Sequence, residues 1–150
     1  MCGICGIVDL KNSLPITEEE LNAMCKTIEH RGPDGSRTII RDSVGFGHTR
    51  LSVIDKETGW QPIKNEDGSI FVIFNGEIYN FQSLRSELIK LGHTFKTASD
   101  TEVIVHAYEQ YGLKFVNHLD GMFALAIWDD PHNRLLLARD RFGKKPLFYT

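Results

Sequence analysis

The chain is poor in cysteine, has no long apolar run and carries no excess of one charge. Three cysteines in 150 residues do not make the paired framework of a small secreted domain, so a reducing cytoplasm is the expected compartment. The start has no basic segment followed by an apolar core, so no signal peptide is expected. No stretch approaches the roughly 20 apolar residues that a spanning helix needs; the longest, 122–128, has the length of a buried strand. The 17 basic and 20 acidic residues are well mixed, giving a net charge of −3. Without a basic stripe, neither nucleic acid nor a membrane is an expected partner. His30, His48, His93 and His106 are scattered, with no metal-ligand spacing such as HExxH, and the GxxxxGK(S/T) phosphate loop is missing. No repeat, low-complexity tract or linker interrupts the chain, which reads as one domain over 1–150. It stops just after a strand predicted at 147–149 and is expected to be a piece of a longer protein.

What is present is a series of hairpins separated by helices. β-Branched residues at 4, 7 and 8 predict a strand over 2–10. Thr17 with Glu20 is a capping box, followed by Leu21, Met24, Cys25 and Ile28 on one helical face. Strands are predicted at 37–41 and 44–50, around a turn at Asp42 and Ser43. Another is predicted at 70–74, broken by Asn75-Gly76. A helix follows Asn80 and ends at Gly92. A short strand is expected at 94–97, then a second capping box, Ser99 with Glu102, opens a helix closed by Gly112. A short helix at 113–118, a hairpin of 121–128 with 135–139 and a turn at 140–145 complete the series. Hairpin-connected strands grouped between helices favour antiparallel sheets covered by helices over a doubly wound parallel sheet.

The chemistry centres on the first residues. Removal of Met1, which the small Cys2 side chain permits, leaves a thiol and a free α-amine on one residue, a nucleophile beside its own base. Cys2 and Cys5 also form a C-x-x-C pair, open to redox or half-metal readings. The metal reading lacks a second pair, because Cys25 lies on the apolar helix stripe, and the redox reading wants a helix start rather than an apolar strand. Arg50 can hold a carboxylate through a bidentate fork or simply be solvated. Asn75 and the Gly76 N–H can form an oxyanion hole, yet Asn-Gly is also a strong hairpin signal. Asp100 can take an ammonium group or merely suit a helix start. The glycines at 32 and 35 suit a mobile lid or an ordinary turn.

These motifs in this order are more specific than any one alone: Met-Cys-Gly-Ile-Cys-Gly at 1–6, Arg-Gly-Pro-Asp-Gly at 31–35, Gly-His-Thr-Arg-Leu-Ser at 47–52, Phe-Asn-Gly-Glu-Ile-Tyr-Asn at 74–80, Ser-Asp-Thr-Glu-Val-Ile at 99–104, Leu-Asp-Gly-Met-Phe-Ala at 119–124 and Ala-Arg-Asp-Arg-Phe-Gly-Lys-Lys-Pro-Leu-Phe-Tyr at 138–149. Over nearly its whole length the chain resembles the glutaminase domain of class II glutamine amidotransferases, in the asparagine synthetase branch. The resemblance implies an α+β N-terminal-nucleophile hydrolase fold, an αββα sandwich of two mainly antiparallel sheets between helical layers. It implies that Cys2 attacks the amide of L-glutamine, its α-amine relays the proton to ammonia, and Asn75 with Gly76 stabilises the oxyanion. Arg50 would clamp the α-carboxylate, Asp100 and Glu77 would receive the α-ammonium, and Leu51, Ser52, Val53 and Ile54 would line the same pocket. Cys5 becomes a packed strand residue. The glutaminase step needs no cofactor and no metal. MgATP belongs to a C-terminal synthetase domain, the implied partner, which makes asparagine from aspartate and whose pyrophosphate-binding signature these residues lack. The resemblance also admits a homodimer. The alternatives are a related amidotransferase with another acceptor, a thiol redox or metal module, and a non-catalytic scaffold that retains Met1.

Overall fold

The computed structural model describes residues 1–11, 15–52 and 57–150. Strand β1 (Gly3–Val8) leads to helix α1 (Glu18–Thr27) and a 3-10 turn at Glu29–Arg31. Strands β2 (Ser36–Arg41), β3 (Val44–Thr49), β4 (Ile63–Lys64) and β5 (Ile70–Ile78) follow, then helices α2 (Phe81–Lys90) and α3 (Glu102–Tyr111). A 3-10 segment at Gly112–His118 precedes β6 (Gly121–Asp129), and another at Asp130–His132 joins it to β7 (Arg134–Arg139). None of these helices is long and apolar enough to cross a membrane.

Two antiparallel sheets result, ordered β1-β3-β2 and β4-β5-β6-β7. Strand alternation explains the layering. On β3, Val44 and Phe46 face the second sheet and pack with Phe71, Ile73, Ala126 and Trp128. The intervening Gly45 and Gly47 face α1. A Cβ on Gly45 would lie 2.8 Å from Leu21, and one on Gly47 would lie 2.6 Å from Cys25 Sγ, so glycine lets the helix sit directly on the strand. On β5 the even residues Val72, Phe74 and Ile78 turn the other way, into a core with Leu84 and Leu88 of α2 and Val103, Ile104 and Ala107 of α3. Each such side chain contributes roughly 1.5–3 kcal/mol on burial. The order is therefore helix, sheet, sheet, helices, the expected αββα sandwich.

The Thr17–Glu20 capping box forms as read: Glu20 N–H donates to Thr17 Oγ1 at 3.2 Å and Thr17 N–H to Glu20 Oε2 at 2.9 Å. Four expectations are corrected. Strand β5 does not break at Asn75-Gly76 but runs on to Ile78, because β6 pairs with it residue by residue from Asp129 to Gly121. No strand forms at 94–97. The Ser99–Glu102 capping box is absent as well: the buried Glu102 carboxylate accepts from the N–H groups of Lys96 at 2.8 Å and Thr97 at 2.7 Å. Residues 147–149 form no strand, and Phe148 and Tyr149 are exposed.

Candidate functional site

The inter-sheet core ends where polar residues take over the same strand faces. Beyond Phe46 on β3 come His48 and, just past the strand, Arg50; beyond Ile73 on β5 come Asn75 and Glu77. Cys2 immediately precedes β1, whose Gly3 pairs with Thr49 of β3. These residues, with Leu51, Gly76, Ser99, Asp100 and Thr101, line one cavity of about 180 Å³. The structure thus brings together Cys2, Arg50, Leu51, Asn75, Gly76, Glu77 and Asp100. Ser52 lies just outside this lining, its N–H donating to Asp34 Oδ2 at 2.7 Å. Val53 and Ile54 lie outside the described residues.

Cys2 is held at both ends. The Leu51 N–H donates to its Sγ at 3.4 Å, and Arg31 Nε donates to its carbonyl at 3.2 Å. In the amide orientation that satisfies both neighbours, Asn75 Nδ2 donates to the same carbonyl at 3.0 Å and its Oδ1 accepts from Arg31 Nη2 at 3.2 Å. Gly76 has no room for a side chain, since a Cβ would meet Met122 O at 2.1 Å. Asn-Gly here is a close-approach element inside a ladder rather than a hairpin turn.

The segment at 31–35 is docked beside Arg50. Arg50 N–H donates to Gly35 O at 2.8 Å, and Asp34 N–H donates to Arg50 O at 3.0 Å. A Cβ on Gly32 would lie 2.3 Å from the Thr49 backbone, so this contact requires glycine. The Arg50 guanidinium stacks 4.6 Å over the Trp60 ring, which Arg37 also covers at 4.5 Å. A planar cation held this way keeps its fork oriented.

The electrostatics favour neutral groups. Burial pushes the Asp100 carboxyl up to about 6, with Glu77 adding to the rise and the Ile78 N–H, 3.1 Å from Oδ2, opposing it. Burial, reinforced by Arg50, pushes His48 down to about 4. Neither ring nitrogen of His48 has a hydrogen-bond partner among the described residues, so no Cys-His pair forms. The C-x-x-C reading also fails on geometry. Cys2 and Cys5 fall on opposite faces of an extended strand, and Cys5 Sγ lies 3.7 Å from Cys25 Sγ instead. That contact, and then burial, raise the Cys5 thiol.

Sequence reasoning missed His48, Gln61 and Lys145 in the lining, and gave Arg31 only a loop role. Gln61 Oε1 accepts from the Phe74 N–H at 2.6 Å and its Nε2 donates to Thr101 Oγ1 at 3.3 Å, tying β5 to the start of α3. Lys145 is buried, and its ammonium touches Met1 Sδ. Its N–H and those of Phe123, Phe142 and Lys144 donate to Asp140, which shapes the turn after β7. The one available signal was the unassigned Gly-Trp-Gln-Pro quartet at 59–62.

Comparisons with known proteins agree with this geometry. The chain is 51% identical over 152 residues to glutamine-hydrolyzing asparagine synthetase 2 of Bacillus subtilis, covering 100% of this chain and 20% of that protein. It is 45% identical to asparagine synthetase 3 of the same organism, covering 100% and 25%. Identity is 40% to the enzyme of Sandersonia aurantiaca, covering 99% and 28%. The chain therefore spans between 20% and 28% of the length of these relatives. A glutamine phosphoribosylpyrophosphate amidotransferase from B. subtilis shares the fold at TM-score 0.53 and 24% identity, over 67% of this chain and 24% of that one. An allosteric regulatory enzyme of purine biosynthesis shares it at TM-score 0.55 and 20% identity, over 91% and 31%. A family model described as a glutamine amidotransferase domain matches residues 1–150, and the chain belongs to that family.

Proposed function

We propose that this domain hydrolyses L-glutamine to glutamate and ammonia at Cys2. The observation that carries the reading is the convergence of one thiol, one guanidinium, two carboxylates and a donor pair on a single cavity. A glutamine zwitterion presents the matching set: an α-carboxylate for Arg50, an α-ammonium for Asp100 and Glu77, and a neutral amide for Cys2.

In this chain the Cys2 nitrogen is a peptide nitrogen, so removal of Met1 is the first requirement; it frees the α-amine that serves as base. The Cys2 sulfur then adds to the amide carbon, its proton passing to the α-amine. The carbonyl oxygen becomes an oxyanion, received by Asn75 Nδ2 and the Gly76 N–H. Asn75 has to exchange its bond to the Cys2 carbonyl for this one. The carbon–nitrogen bond breaks, and the amine returns the proton to the departing ammonia. Water adds to the thioester through a second oxyanion, releasing glutamate and regenerating the thiol. No cofactor enters these steps.

The relatives support a reading of the ammonia acceptor. They are asparagine synthetases several times longer than this chain, which supports a C-terminal synthetase domain as partner. That domain would use MgATP to convert aspartate to asparagine. A homodimeric assembly and a cytoplasmic location belong to the same reading.

The test is glutamate release from L-glutamine without ATP, on protein whose intact mass shows Met1 absent. Turnover is expected, and Cys2→Ala should reduce it to the uncatalysed background with the circular dichroism spectrum retained. Equal turnover in the two proteins would overturn the assignment of the nucleophile.

A further inference from the structure

Away from the pocket, four side chains that no sequence motif connects meet at one corner of the fold. Glu66 follows β4, His93 follows α2, and His106 and Glu109 stand one turn apart on α3. One potential ligand atom from each lies within 4.8 Å of all the others. His106 Nδ1 is 3.0 Å from Glu109 Oε2 and 3.5 Å from Glu66 Oε2. His93 Nδ1 is 3.7 Å from Glu109 Oε2 and 3.9 Å from Glu66 Oε1. A tetrahedral zinc ion, with bonds of about 2.0–2.2 Å, sets its ligand atoms roughly 3.3–3.6 Å apart. The observed spacings bracket that value.

Three of the four are also oriented by hydrogen bonds from outside, and Glu102 stands near the fourth. Glu102 Oε1 stands 3.6 Å from His106 Nε2, and Gln110 Oε1 3.2 Å from His93 Nε2. Asn65 Nδ2 donates to Glu109 Oε1 at 2.8 Å, and the Thr94 N–H donates to Glu66 Oε1 at 3.0 Å. For His93, an acceptor beyond Nε2 places the imidazole proton there and leaves Nδ1 as a lone-pair donor, the arrangement typical of metal-bound histidines; His106 Nε2 makes no hydrogen bond among the described residues.

His106 is 1% exposed and faces Glu102, Glu66 and Glu109. His93 joins the same group. That second ring turns its Nδ1 toward the same two carboxylates, with its centroid 5.2 Å from the first.

We propose that Glu66, His93, His106 and Glu109 form a binding site for a divalent transition-metal ion, zinc by donor set. Two imidazoles with two carboxylates suit zinc, whereas magnesium and calcium prefer all-oxygen shells. Four protein ligands leave no open position, so the ion is structural. It clamps three segments together: the β4–β5 turn, the α2–α3 connection and α3 itself. None of the four residues lines the glutamine pocket, but the clamped connection is the one that carries Ser99 and Asp100 to it.

The test is calorimetric titration of the metal-stripped chain with Zn²⁺, and of the same protein with Co²⁺ followed by absorption spectroscopy. Two variants accompany it: His93→Gln with Glu109→Gln, both at positions less buried than His106, and one with all three cysteines replaced by serine. One equivalent is expected to bind and to raise the thermal midpoint. Co²⁺ should give the visible bands of a tetrahedral ion without thiolate charge transfer. Affinity should fall about tenfold or more in the His93–Glu109 variant, or in either single substitution, and persist without cysteine. Absence of binding, binding undiminished in the His93–Glu109 variant, or binding lost with the cysteines would each overturn the proposal.

Discussion

The pocket and the adjoining helix α3 corner handle buried charge in opposite ways. At the pocket, Asp100 is pushed up to about 6 and His48 down to about 4, so both are driven toward neutrality. A few residues on, charge is favoured. Burial opposes ionisation of Glu102, but His106 and the N–H groups of Lys96 and Thr97 outweigh it and bring the carboxyl to about 2. Burial opposes protonation of His106, but Glu102 and Glu109 outweigh that and bring it to about 9. Without an ion, the corner balances its charges among its own residues, although His106 Nε2 keeps no hydrogen-bond partner among the described residues. The pocket carries polar groups whose complement is still to arrive, as a binding site does.

Four substitutions probe this contrast. Glu102→Ala is expected to cost about 3–5 kcal/mol by removing the buried carboxylate beside His106 Nε2 and leaving the N–H groups of Lys96 and Thr97 without their acceptor. Urea unfolding measures it, and an unchanged midpoint would erase the distinction between the two regions. Asn75→Ala should behave in the reverse manner, lowering kcat for glutamine by about 10²–10³-fold, or roughly 2.7–4 kcal/mol. The unfolding midpoint should stay near the parent value, and steady-state kinetics beside an unfolding curve separate the two.

His48 supplies a smaller, pH-dependent effect. Its folded value lies below the ordinary 6.5, so its contribution is intact above 6.5 and is lost as pH falls through about 4. The loss amounts to about 3 kcal/mol. In His48→Gln the acid slope over that window should flatten, and a slope equal to the parent's would show that other groups cause it. Asp100 runs the other way. Its folded value is raised, so its contribution is intact below 3.8 and is lost as pH rises through about 6. Under the proposed function, the ionised form is the useful one. Below about 6, kcat/KM for glutamine should therefore fall by up to about tenfold per pH unit. Asp100→Asn should start lower and show no such slope.

Much of the pocket was legible because its residues sit in short, ordered motifs. Cys2, Arg50, Asn75, Gly76 and Asp100 each have a type suited to one part of a glutamine molecule, and all line one cavity. Helix α1 was legible for a local reason, since its capping box needs only four consecutive residues. Two misreadings were cases where another partner overrode a local preference, one distant and one nearby. Asn-Gly favours a turn, yet β6 pairs across it and Met122 O occupies the space a side chain would need. Ser99 and Glu102 have capping-box spacing, but Glu102 turns back to the N–H groups of Lys96 and Thr97.

By itself the sequence determined the alternation of strand faces, the start of α1 and the chemical types of the candidate site residues. The first two depend on neighbours a few residues away, and the third on the residues themselves. Tertiary structure alone decided which faces meet. It continued the inter-sheet core into His48, Arg50, Asn75 and Glu77, and set Arg31 and Gln61 to hold the pocket backbone. It also gathered Glu66, His93, His106 and Glu109 from three segments into one cluster. Those juxtapositions depend on sheet register and layer packing, which bring together residues far apart in the chain and leave no local spacing to read.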